Sequence, residues 1–224
     1  PMYYKLVRMA QRDPNKRRAV YACPESFKYY KMNGGVLHVP RGMRERLLRF
    51  LGSVHEPYEI KEDVVCKGVR LAWNRQLELR PWQAEAVKAL EGHKEAVVVA
   101  GTGGGKTIAM LEQVFRLGLT CTILTSKTSM VKQWRDELKK FYGVDSGVIY
   151  GKEKQICDIT VSTFQSLLQP TQLVMDLVDN TSVLIIDEVQ EVTATGKARV
   201  LSRFKPSYIF GTTATMKRED AQDK

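Results

Sequence analysis

Residues 79–213 alternate between two hydrophobic patterns: short continuous apolar runs, and stretches in which apolar residues recur every three or four positions. Continuous runs of this length are typical of strands buried on both faces. They predict strands at residues 96–100, 121–125, 148–150, 158–162, 183–187 and 207–211. The three- and four-residue spacing predicts helices at residues 79–90, 106–117, 128–141, 163–168 and 170–178. Strands alternating with helices predict an α/β fold, in which a parallel sheet carries helices on both faces.

The first 72 residues follow a different pattern. β-forming residues cluster at four places separated by turn residues, and this predicts short strands at residues 3–9, 19–23, 26–32 and 36–39. Residues 43–53 carry their apolar side chains on one helical face, and Gly52 suits the end of such a helix. We therefore expect a small α+β domain at residues 1–72, followed by the α/β domain at residues 73–224.

Charge separates the same two regions. The chain has 224 residues and a formal net charge of +10; residues 1–80 hold 17 Lys and Arg against 8 Asp and Glu, whereas residues 81–224 hold 18 against 17. A basic module of this kind indicates a polyanionic partner, most plausibly nucleic acid, although a solubilising surface is the alternative. The candidate phosphate contacts, which could equally form a solvated helix face, are Arg41, Arg44, Arg46 and Arg49.

Several classes of protein are disfavoured by composition. At 43% hydrophobic and 27% charged residues the chain resembles an ordinary globular protein. No apolar run approaches the roughly 20 residues of a membrane span, so we expect no membrane partner. The cysteines, at positions 23, 66, 121 and 157, and the three histidines lack metal-ligand spacing. Reduced thiols are therefore expected, in the cytoplasm or, for a viral protein, the host cytoplasm.

The segment 100–107, AGTGGGKT, lies between a predicted strand and a predicted helix. It matches a phosphate-binding loop except that Ala100 replaces the first glycine, and taken alone it could be a flexible turn. Backbone N–H groups of such a loop turn inward on phosphate, aided by the dipole of the helix start. Lys106 would reach the β and γ phosphates, and the Thr107 hydroxyl would ligate Mg²⁺. The residues predicted to surround the nucleotide are Gly101, Thr102, Gly103, Gly104, Gly105, Lys106 and Thr107.

A second segment, SVLIIDEVQ at residues 182–190, places two carboxylates after a buried strand. Open α/β sheets bind ligands at the carboxyl ends of their strands. Asp187 fits a role in holding Mg²⁺ through water, and Glu188 fits a base that orients and deprotonates an attacking water. A solvated acidic loop is the alternative. The phosphate loop about eighty residues upstream favours the catalytic interpretation.

Six segments follow one another in a characteristic order: LRPWQ, AGTGGGKT, LTSKTSMVKQW, ITVSTFQSL, IIDEVQ and FGTTATMKRED. Their order resembles that of superfamily 2 helicases and translocases, in particular the branch of the XPB-type repair helicases and the phage UvsW-type helicases. The resemblance covers residues 79–220 and implies a RecA-like fold for the α/β domain. Alanine at the first position of the phosphate loop is usual in that superfamily.

The resemblance also implies roles for individual residues. Arg80 and Gln83 match the segment that contacts adenine, and a glutamine amide suits the N6/N7 edge of that base. The alternative is that Trp82 and Gln83 simply begin a helix, and Trp82 itself is assigned to packing. Backbone contacts to nucleic acid, which hydroxyl groups make without reading sequence, are implied for Ser126, Lys127, Gln133, Ser162, Thr163 and Gln165.

A coupling role is implied for the end of the sheet. Gln190 stands where many relatives have histidine, and it would couple the ATP site to Thr213 and Thr215. Met216 replaces the proline that often follows this Thr-Ala-Thr pattern. The candidate catalytic residues implied by the whole set are Lys106, Asp187, Glu188 and Gln190.

The function implied is that of an ATP-dependent DNA helicase or translocase, with ATP and Mg²⁺ as cofactors. Its partner would be duplex, forked or branched DNA, with RNA less favoured. A motor subunit of a restriction-type nuclease and a partner-recruiting module remain alternatives. Superfamily 2 motors use a second RecA-like domain that supplies arginine fingers, worth about 10³–10⁵ in rate. We expect that domain to lie beyond this chain, and the 224 residues alone to hydrolyse ATP weakly.

Overall fold

The computed structural model describes residues 10–11, 20–21, 31–33, 36–39, 41–55, 58–60, 64–69, 78–192 and 195–214. The chain forms two compact units, residues 1–61 and residues 62–224. The border predicted at residue 72 lies in the range 70–77, outside the described residues. In the part of the chain that is described, no helix has the length and apolar character needed to cross a bilayer.

The described part of the first unit is α+β, as its sequence pattern predicted. Its strands form two antiparallel pairs, β1 with β2 and β3 with β4, at Ala10–Gln11, Val20–Tyr21, Lys31–Asn33 and Val36–His38. A 3-10 turn at Arg41–Met43 leads into helix α1 (Arg44–Val54), one residue from the predicted bounds. The strand predicted at residues 3–9 falls outside the described residues.

The second unit is built around a seven-stranded sheet. Its strands are β5 (Glu95–Val99), β6 (Cys121–Thr125), β7 (Gly147–Tyr150), β8 (Glu153–Gln155), β9 (Ile159–Thr163), β10 (Val183–Ile186) and β11 (Tyr208–Thr213). Its helices are α2 (Pro81–Leu90), α3 (Lys106–Leu117), α4 (Thr128–Tyr142), α5 (Gln172–Asp179) and α6 (Thr195–Leu201).

The order of strands brings the two signature segments close together. Across the sheet the strands run β5-β11-β10-β6-β9-β7-β8, and every pair is parallel except β7 with β8. Only β11 separates β5, which precedes the phosphate loop, from β10, which precedes the carboxylates. Neighbouring strands lie about 4.8 Å apart, so the two segments end roughly 10 Å from each other.

Alternate residues of the strands face two separate hydrophobic cores. Ile123 and Ile185 pack with α2, α3 and α4 on one face, where Trp134 lies fully buried. Leu124 and Ile186 pack with α5 and α6 on the other face. Successive strand residues point to opposite sides of a sheet, so continuous apolar runs fill both cores. The prediction of a mostly parallel sheet covered on both faces is confirmed.

The sequence pattern did not predict strand β8 or helix α6, and it predicted a third element with the wrong type. Strand β8 has the polar sequence EKQ and is fully exposed, so it forms by backbone pairing with β7 and leaves no apolar signal. Helix α6 has only seven residues, which is too short for a periodicity to show. The segment predicted as a helix at residues 163–168 contains only a 3-10 turn at Gln165–Leu167.

Residues 64–69 pack against the strand ends opposite the signature segments. The N–H of Val65 donates to the carbonyl of Lys205 at 2.7 Å, and the N–H of Thr120 donates to the carbonyl of Lys67 at 3.0 Å. The Ser182 hydroxyl accepts from the N–H of Lys67 at 2.6 Å. This segment therefore belongs structurally to the second unit, where it satisfies backbone groups at the start of the central strands.

Candidate active site

The loop between β5 and α3 has a backbone that only glycine adopts readily. Gly103 and Gly105 have φ angles of 73° and 90°, in the left-handed region that disfavours side chains. The N–H of Gly104 donates to the carbonyl of Gly101 at 3.0 Å, and a Cβ on Gly104 would come within 2.9 Å of that oxygen. The result is a tight loop with room above Gly103, where a Cβ would meet no atom within 4 Å.

Lys106 begins helix α3 and turns back over this loop. Its Nζ donates to the carbonyl of Ala100 at 2.8 Å and lies 3.4 Å from that of Gly101. If a phosphate were bound in the loop, its oxygens could replace these carbonyl oxygens as acceptors for the Lys106 ammonium group. Thr102 is exposed at the tip of the loop. The residues predicted to surround a nucleotide are thus gathered in one place.

Gln83 connects helix α2 to the same loop. Its Oε1 accepts from the N–H of Arg80 at 2.8 Å, and its Nε2 donates to the carbonyl of Gly105 at 3.0 Å. The side chain is buried, whereas Arg80 is exposed at the start of the helix. Since both polar atoms of Gln83 already bond backbone groups, an adenine contact would require it to exchange a partner. Trp82 packs against the first core, in the role assigned to it.

Asp187 lies at the end of β10 and is only 4% exposed. Its Oδ2 accepts from the indole Nε1 of Trp134 at 3.0 Å, and its Oδ1 accepts from the hydroxyl of Thr212 at 2.7 Å. Both donors are themselves buried. The backbone N–H of Asp187 donates to the carbonyl of Leu124 at 2.9 Å, so main chain and side chain are both held.

Glu188 adopts a strained backbone and is supported by Gln190. Its φ of 52° is uncommon for a residue with a side chain and costs about 1–3 kcal/mol. Such residues concentrate at functional sites. The Gln190 Nε2 donates to the Glu188 Oε2 at 2.6 Å. The turn therefore presents the Glu188 carboxylate in one orientation beside the buried Asp187.

A third carboxyl group, Glu137 of helix α4, lies next to Thr107 and Asp187. Burial is the main influence on Glu137 and raises its pKa above the ordinary value. Hydrogen bonds from Gln133 and Thr107 oppose this shift, while the charge of Asp187 adds to it. The Gln133 Nε2 donates to the Glu137 Oε1 at 2.9 Å. Thr107, whose side chain is nearly buried, is thereby held on the side of α3 that faces α4.

The raised pKa of Glu137 leads to a pH-dependent prediction. The folded protein binds the proton on the Glu137 carboxyl more tightly than the unfolded chain does. The stability that this proton contributes is therefore fully present below the pKa of the unfolded chain, and it is lost as pH rises through the pKa of the folded protein. We therefore expect wild type to lose stability relative to Glu137→Gln as pH rises from 4 to 7. Urea denaturation at pH 4, 5.5 and 7 measures this difference. Equal differences at the three pH values would contradict it.

The donor set at this edge of the sheet suits Mg²⁺ and a polyphosphate. Mg²⁺ prefers oxygen ligands, keeps several waters and is usually held by one or two protein groups together with phosphate. Thr107 and Asp187 supply a hydroxyl and a carboxylate. Among the described residues no group of three or more His, Cys, Asp or Glu could hold a metal alone. The glycine loop and Lys106 supply donors for phosphate, so the residues present fit both groups.

The residues predicted to contact nucleic acid differ in their exposure. Lys127, Gln133 and Gln165 are exposed, and Lys127 immediately precedes helix α4. Ser162 is fully buried and donates its hydroxyl to the carbonyl of Ile149 at 2.7 Å, so it has an internal role here. Thr163 is also buried, with its hydroxyl 2.9 Å from that of Ser166. Contact with phosphate requires an exposed side chain, and neither of these two side chains is exposed.

Ser126 is linked to the turn that follows Glu188. Its hydroxyl accepts from the Nζ of Lys197 at 2.7 Å, and the same Nζ donates to the carbonyl of Glu191 at 2.9 Å. Lys197 also lies over the ring of Phe164, 5.4 Å from its centroid. One half-buried ammonium group therefore joins a predicted nucleic-acid contact to the acidic turn.

The predicted coupling residues are only partly within the described range. Gln190 contacts Glu188, as noted, and its Oε1 is buried without a hydrogen-bond partner in the described part of the chain. Thr213 is buried at the end of β11, and its carbonyl accepts from the N–H of Ala100 at 3.1 Å. This bond joins β11 to the start of the phosphate loop. Thr215 lies outside the described residues.

The arginines predicted to contact phosphate lie in and next to helix α1. Arg44 and Arg46 are exposed and Arg41 is half-buried. Arg44 forms an ion pair with Glu45 at 3.2 Å, and the Arg49 Nε lies 3.4 Å from the carbonyl of Glu45. An exposed pair of this kind is weak, about 0–1 kcal/mol, so phosphate could displace it.

Sequence reasoning missed Trp134, Thr212, Glu137 and Lys197. Trp134 was visible in the segment LTSKTSMVKQW, and a buried indole N–H generally needs an acceptor. The acceptor itself could not be read from the sequence, because Trp134 and Asp187 are 53 positions apart and meet only when α4 packs on the sheet. Thr212 looked like an ordinary β-branched strand residue.

Fold and site together define a RecA-like nucleotide-binding domain: a glycine loop with Lys106 and Thr107 beside two carboxylates at the carboxyl edge of a parallel sheet. The family model described as "Type III restriction enzyme, res subunit" matches residues 76–218. The chain belongs to this family.

Known relatives agree with this assignment. The DNA 3'-5' translocase XPB2 of Sulfurisphaera tokodaii is 31% identical over 164 residues, covering 73% of this chain and 37% of the relative. The general transcription and DNA repair factor IIH helicase/translocase subunit XPB of Danio rerio is 26% identical over 195 residues, covering 80% of this chain and 25% of the relative. This chain thus spans about a third or less of these relatives.

The solved UvsW helicase of bacteriophage T4 has the same fold. It superposes with a TM-score of 0.61 at 15% identity, covering 85% of this chain and 76% of the helicase chain. The resemblance to superfamily 2 proteins inferred from the six segments is confirmed, and so is the RecA-like fold class.

Proposed function

We propose that this chain is the ATP-binding part of an ATP-dependent DNA helicase or translocase. The observation that carries the proposal is the convergence of Lys106, Thr107, Asp187 and Glu188 at one edge of the sheet. The relatives named as DNA helicases or translocases support DNA as the partner. ATP hydrolysis would then be coupled to unwinding or branch migration of duplex, forked or branched DNA.

Each residue at the site has a chemical role in this proposal. Lys106 and the backbone N–H groups of the loop would bind the β and γ phosphates. Thr107 and Asp187 would hold Mg²⁺, with Asp187 acting through water; when bound, the ion would neutralise phosphate charge. Glu188 would orient the attacking water and accept its proton. Gln190 would keep the Glu188 carboxylate in position.

Each unit carries polar or basic groups that would contact DNA. On the second unit we assign backbone contact to Ser126, Lys127, Gln133 and Gln165. On the first unit, which makes up most of the DNA-binding domain that we propose at residues 1–72 ahead of the motor domain at residues 73–224, we assign it to Arg41, Arg44 and Arg46. Location in the cytoplasm, or the host cytoplasm for a viral protein, is part of the proposal.

A second candidate function is the motor subunit of a restriction-type nuclease. The description of the family that this chain matches favours it. A restriction motor would support ATP-dependent cleavage of DNA when its nuclease partner is present. A helicase would separate strands without cleaving them, so a gel assay on labelled forked DNA distinguishes the two.

Replacing Lys106 with alanine is expected to weaken binding of a non-hydrolysable ATP analogue by about 10- to 150-fold. Hydrogen bonds to charged groups contribute about 1.5–3 kcal/mol, which corresponds to that range of affinity. Isothermal titration calorimetry in Mg²⁺ buffer measures the change. Lys88→Ala, on an exposed position of helix α2, is the matched control and should bind like wild type.

The DNA part of the proposal is tested by fluorescence anisotropy of the same proteins with forked DNA and an equivalent RNA at two salt concentrations. We expect salt-sensitive DNA binding that Lys106→Ala leaves intact. If Lys106→Ala bound the ATP analogue as tightly as wild type, the proposed ATP site would be wrong. Equal affinity of wild type for DNA and RNA would favour an RNA helicase.

A further inference from the structure

Asp187 is held from two sides by groups that the proposed mechanism has not used. Trp134 approaches from helix α4 and Thr212 approaches from strand β11, and their donor atoms lie 3.0 Å and 2.7 Å from different oxygens of the carboxylate. The three side chains are at least 96% buried. Because one donor belongs to a helix on one face of the sheet and the other to the strand next to β10, the carboxylate cannot rotate without breaking at least one of these bonds.

Both donors are neutral, and this determines what the carboxylate can still do. An ionised carboxylate offers about four lone-pair sites, so two protein donors leave about two sites open. An arginine or lysine in the same place would cancel the charge of Asp187, whereas an indole N–H and a hydroxyl leave it available to a cation. The described residues include no ion pair to Asp187. The arrangement orients the carboxylate and preserves its charge.

Groups that do not bind the metal but hydrogen-bond the carboxylate that holds it affect the affinity for the metal. Such outer partners typically change affinity or activity by 10- to 100-fold when they are removed. Trp134 fits this role well because an indole in a packed core has little freedom to follow a displaced acceptor. Thr212 also has restricted freedom, since β-branched side chains are stiff about χ1.

We propose that Trp134 and Thr212 are positioning residues that set the Mg²⁺ affinity of the nucleotide site by clamping Asp187. This inference rests on the proposed function, because it assumes that Asp187 holds Mg²⁺ when ATP binds. Both side chains are almost completely buried and bond the carboxylate of Asp187, so their effect should be confined to the metal dependence of binding.

The test uses isothermal titration calorimetry of a non-hydrolysable ATP analogue at a series of Mg²⁺ concentrations. Trp134→Phe removes the N–H while keeping an aromatic ring, and Thr212→Val removes the hydroxyl while keeping the branched shape. We expect each variant to need at least about tenfold more Mg²⁺ for half-maximal binding. Affinity measured in EDTA should equal that of wild type, which a general structural defect would not produce.

Two further variants make the result specific. Thr212→Ser retains the hydroxyl and should restore the wild-type Mg²⁺ requirement. Tyr142→Phe removes a hydroxyl from another buried ring of helix α4, one that donates to the carbonyl of Ile108 at 3.4 Å. Its Mg²⁺ requirement should be that of wild type. Thermal melts confirm folding, and if Trp134→Phe is unfolded the Thr212 pair carries the test.

The outcomes distinguish failure of the clamp on Asp187 from failure of the proposed function. If Trp134→Phe and Thr212→Val have the same Mg²⁺ requirement as Tyr142→Phe, the clamp is overturned and the ATP site remains. If wild type binds the analogue without any dependence on Mg²⁺, or does not bind it, the proposed function fails together with the clamp.

Discussion

Replacing Glu188 with glutamine is expected to lower the rate of ATP hydrolysis by about 10²- to 10⁴-fold while leaving ATP binding close to that of wild type. General-base catalysis contributes an acceleration of that size, and an amide cannot accept a proton from water. Binding should persist because, among the described residues, the Glu188 carboxylate forms its hydrogen bond with Gln190 and not with the loop or Lys106. The substitution therefore separates chemistry from affinity.

Single-turnover hydrolysis of labelled ATP, with protein in excess and DNA present, is the appropriate measurement because it detects slow rates. Glu191→Gln is the matched control: it changes a carboxylate in the same turn, one that lies 3.6 Å from the Nζ of Lys197. The control should hydrolyse ATP like wild type. A Glu188→Gln variant with the wild-type rate would exclude Glu188 as the base.

Replacing Gly105 with alanine is expected to destabilise the second unit by about 3 kcal/mol and to disrupt nucleotide binding. The left-handed backbone costs a residue with a Cβ about 1–2 kcal/mol. The new Cβ would also lie 2.5 Å from the Nε2 of Gln83, which would have to give up its bond to the carbonyl of Gly105. Losing a buried hydrogen bond of this kind costs about 1–3 kcal/mol.

Other glycines of the same loop separate these two causes. Gly101→Ala meets neither obstacle, since its φ is ordinary and no atom lies within 4 Å of the added Cβ, so stability should be unchanged. Gly103→Ala has a φ of 73° but open space, and should show the conformational cost alone. Chemical denaturation of the three variants gives the series. Equal stability of Gly105→Ala and Gly101→Ala would contradict the loop geometry described here.

Much of the fold was predictable because buried parallel strands and amphipathic helices leave strong local patterns. Strand β6 was predicted with the same bounds, and helix α3 likewise. The elements that were missed carry little local signal: β8 is polar and exposed, and α6 is short. Their formation depends on backbone pairing and on packing against the second core, which no single window of sequence records.

The location of the candidate site was also predictable, whereas its internal contacts were not. The glycine loop and the Asp187–Glu188 pair each followed an apolar strand, and strand ends of one parallel sheet meet at one edge. Ser162 shows the limit of this reasoning: its segment matched a nucleic-acid motif, but its hydroxyl bonds the carbonyl of Ile149 inside the sheet. Burial of a side chain depends on which strands become neighbours.

The sequence by itself determined the kind of domain, the order of its elements and the candidate residues for phosphate and metal binding, because these depend on local spacing and side-chain chemistry. Only the tertiary structure decided that Trp134 and Thr212 hold Asp187, that Gln83 ties helix α2 to the loop, and that Glu137 lies beside Thr107. Hydrogen bonds between side chains act over about 3 Å, and the partners here are 22 to 53 positions apart along the chain. Only the pairing of strands and the packing of helices on the sheet bring such residues within that distance.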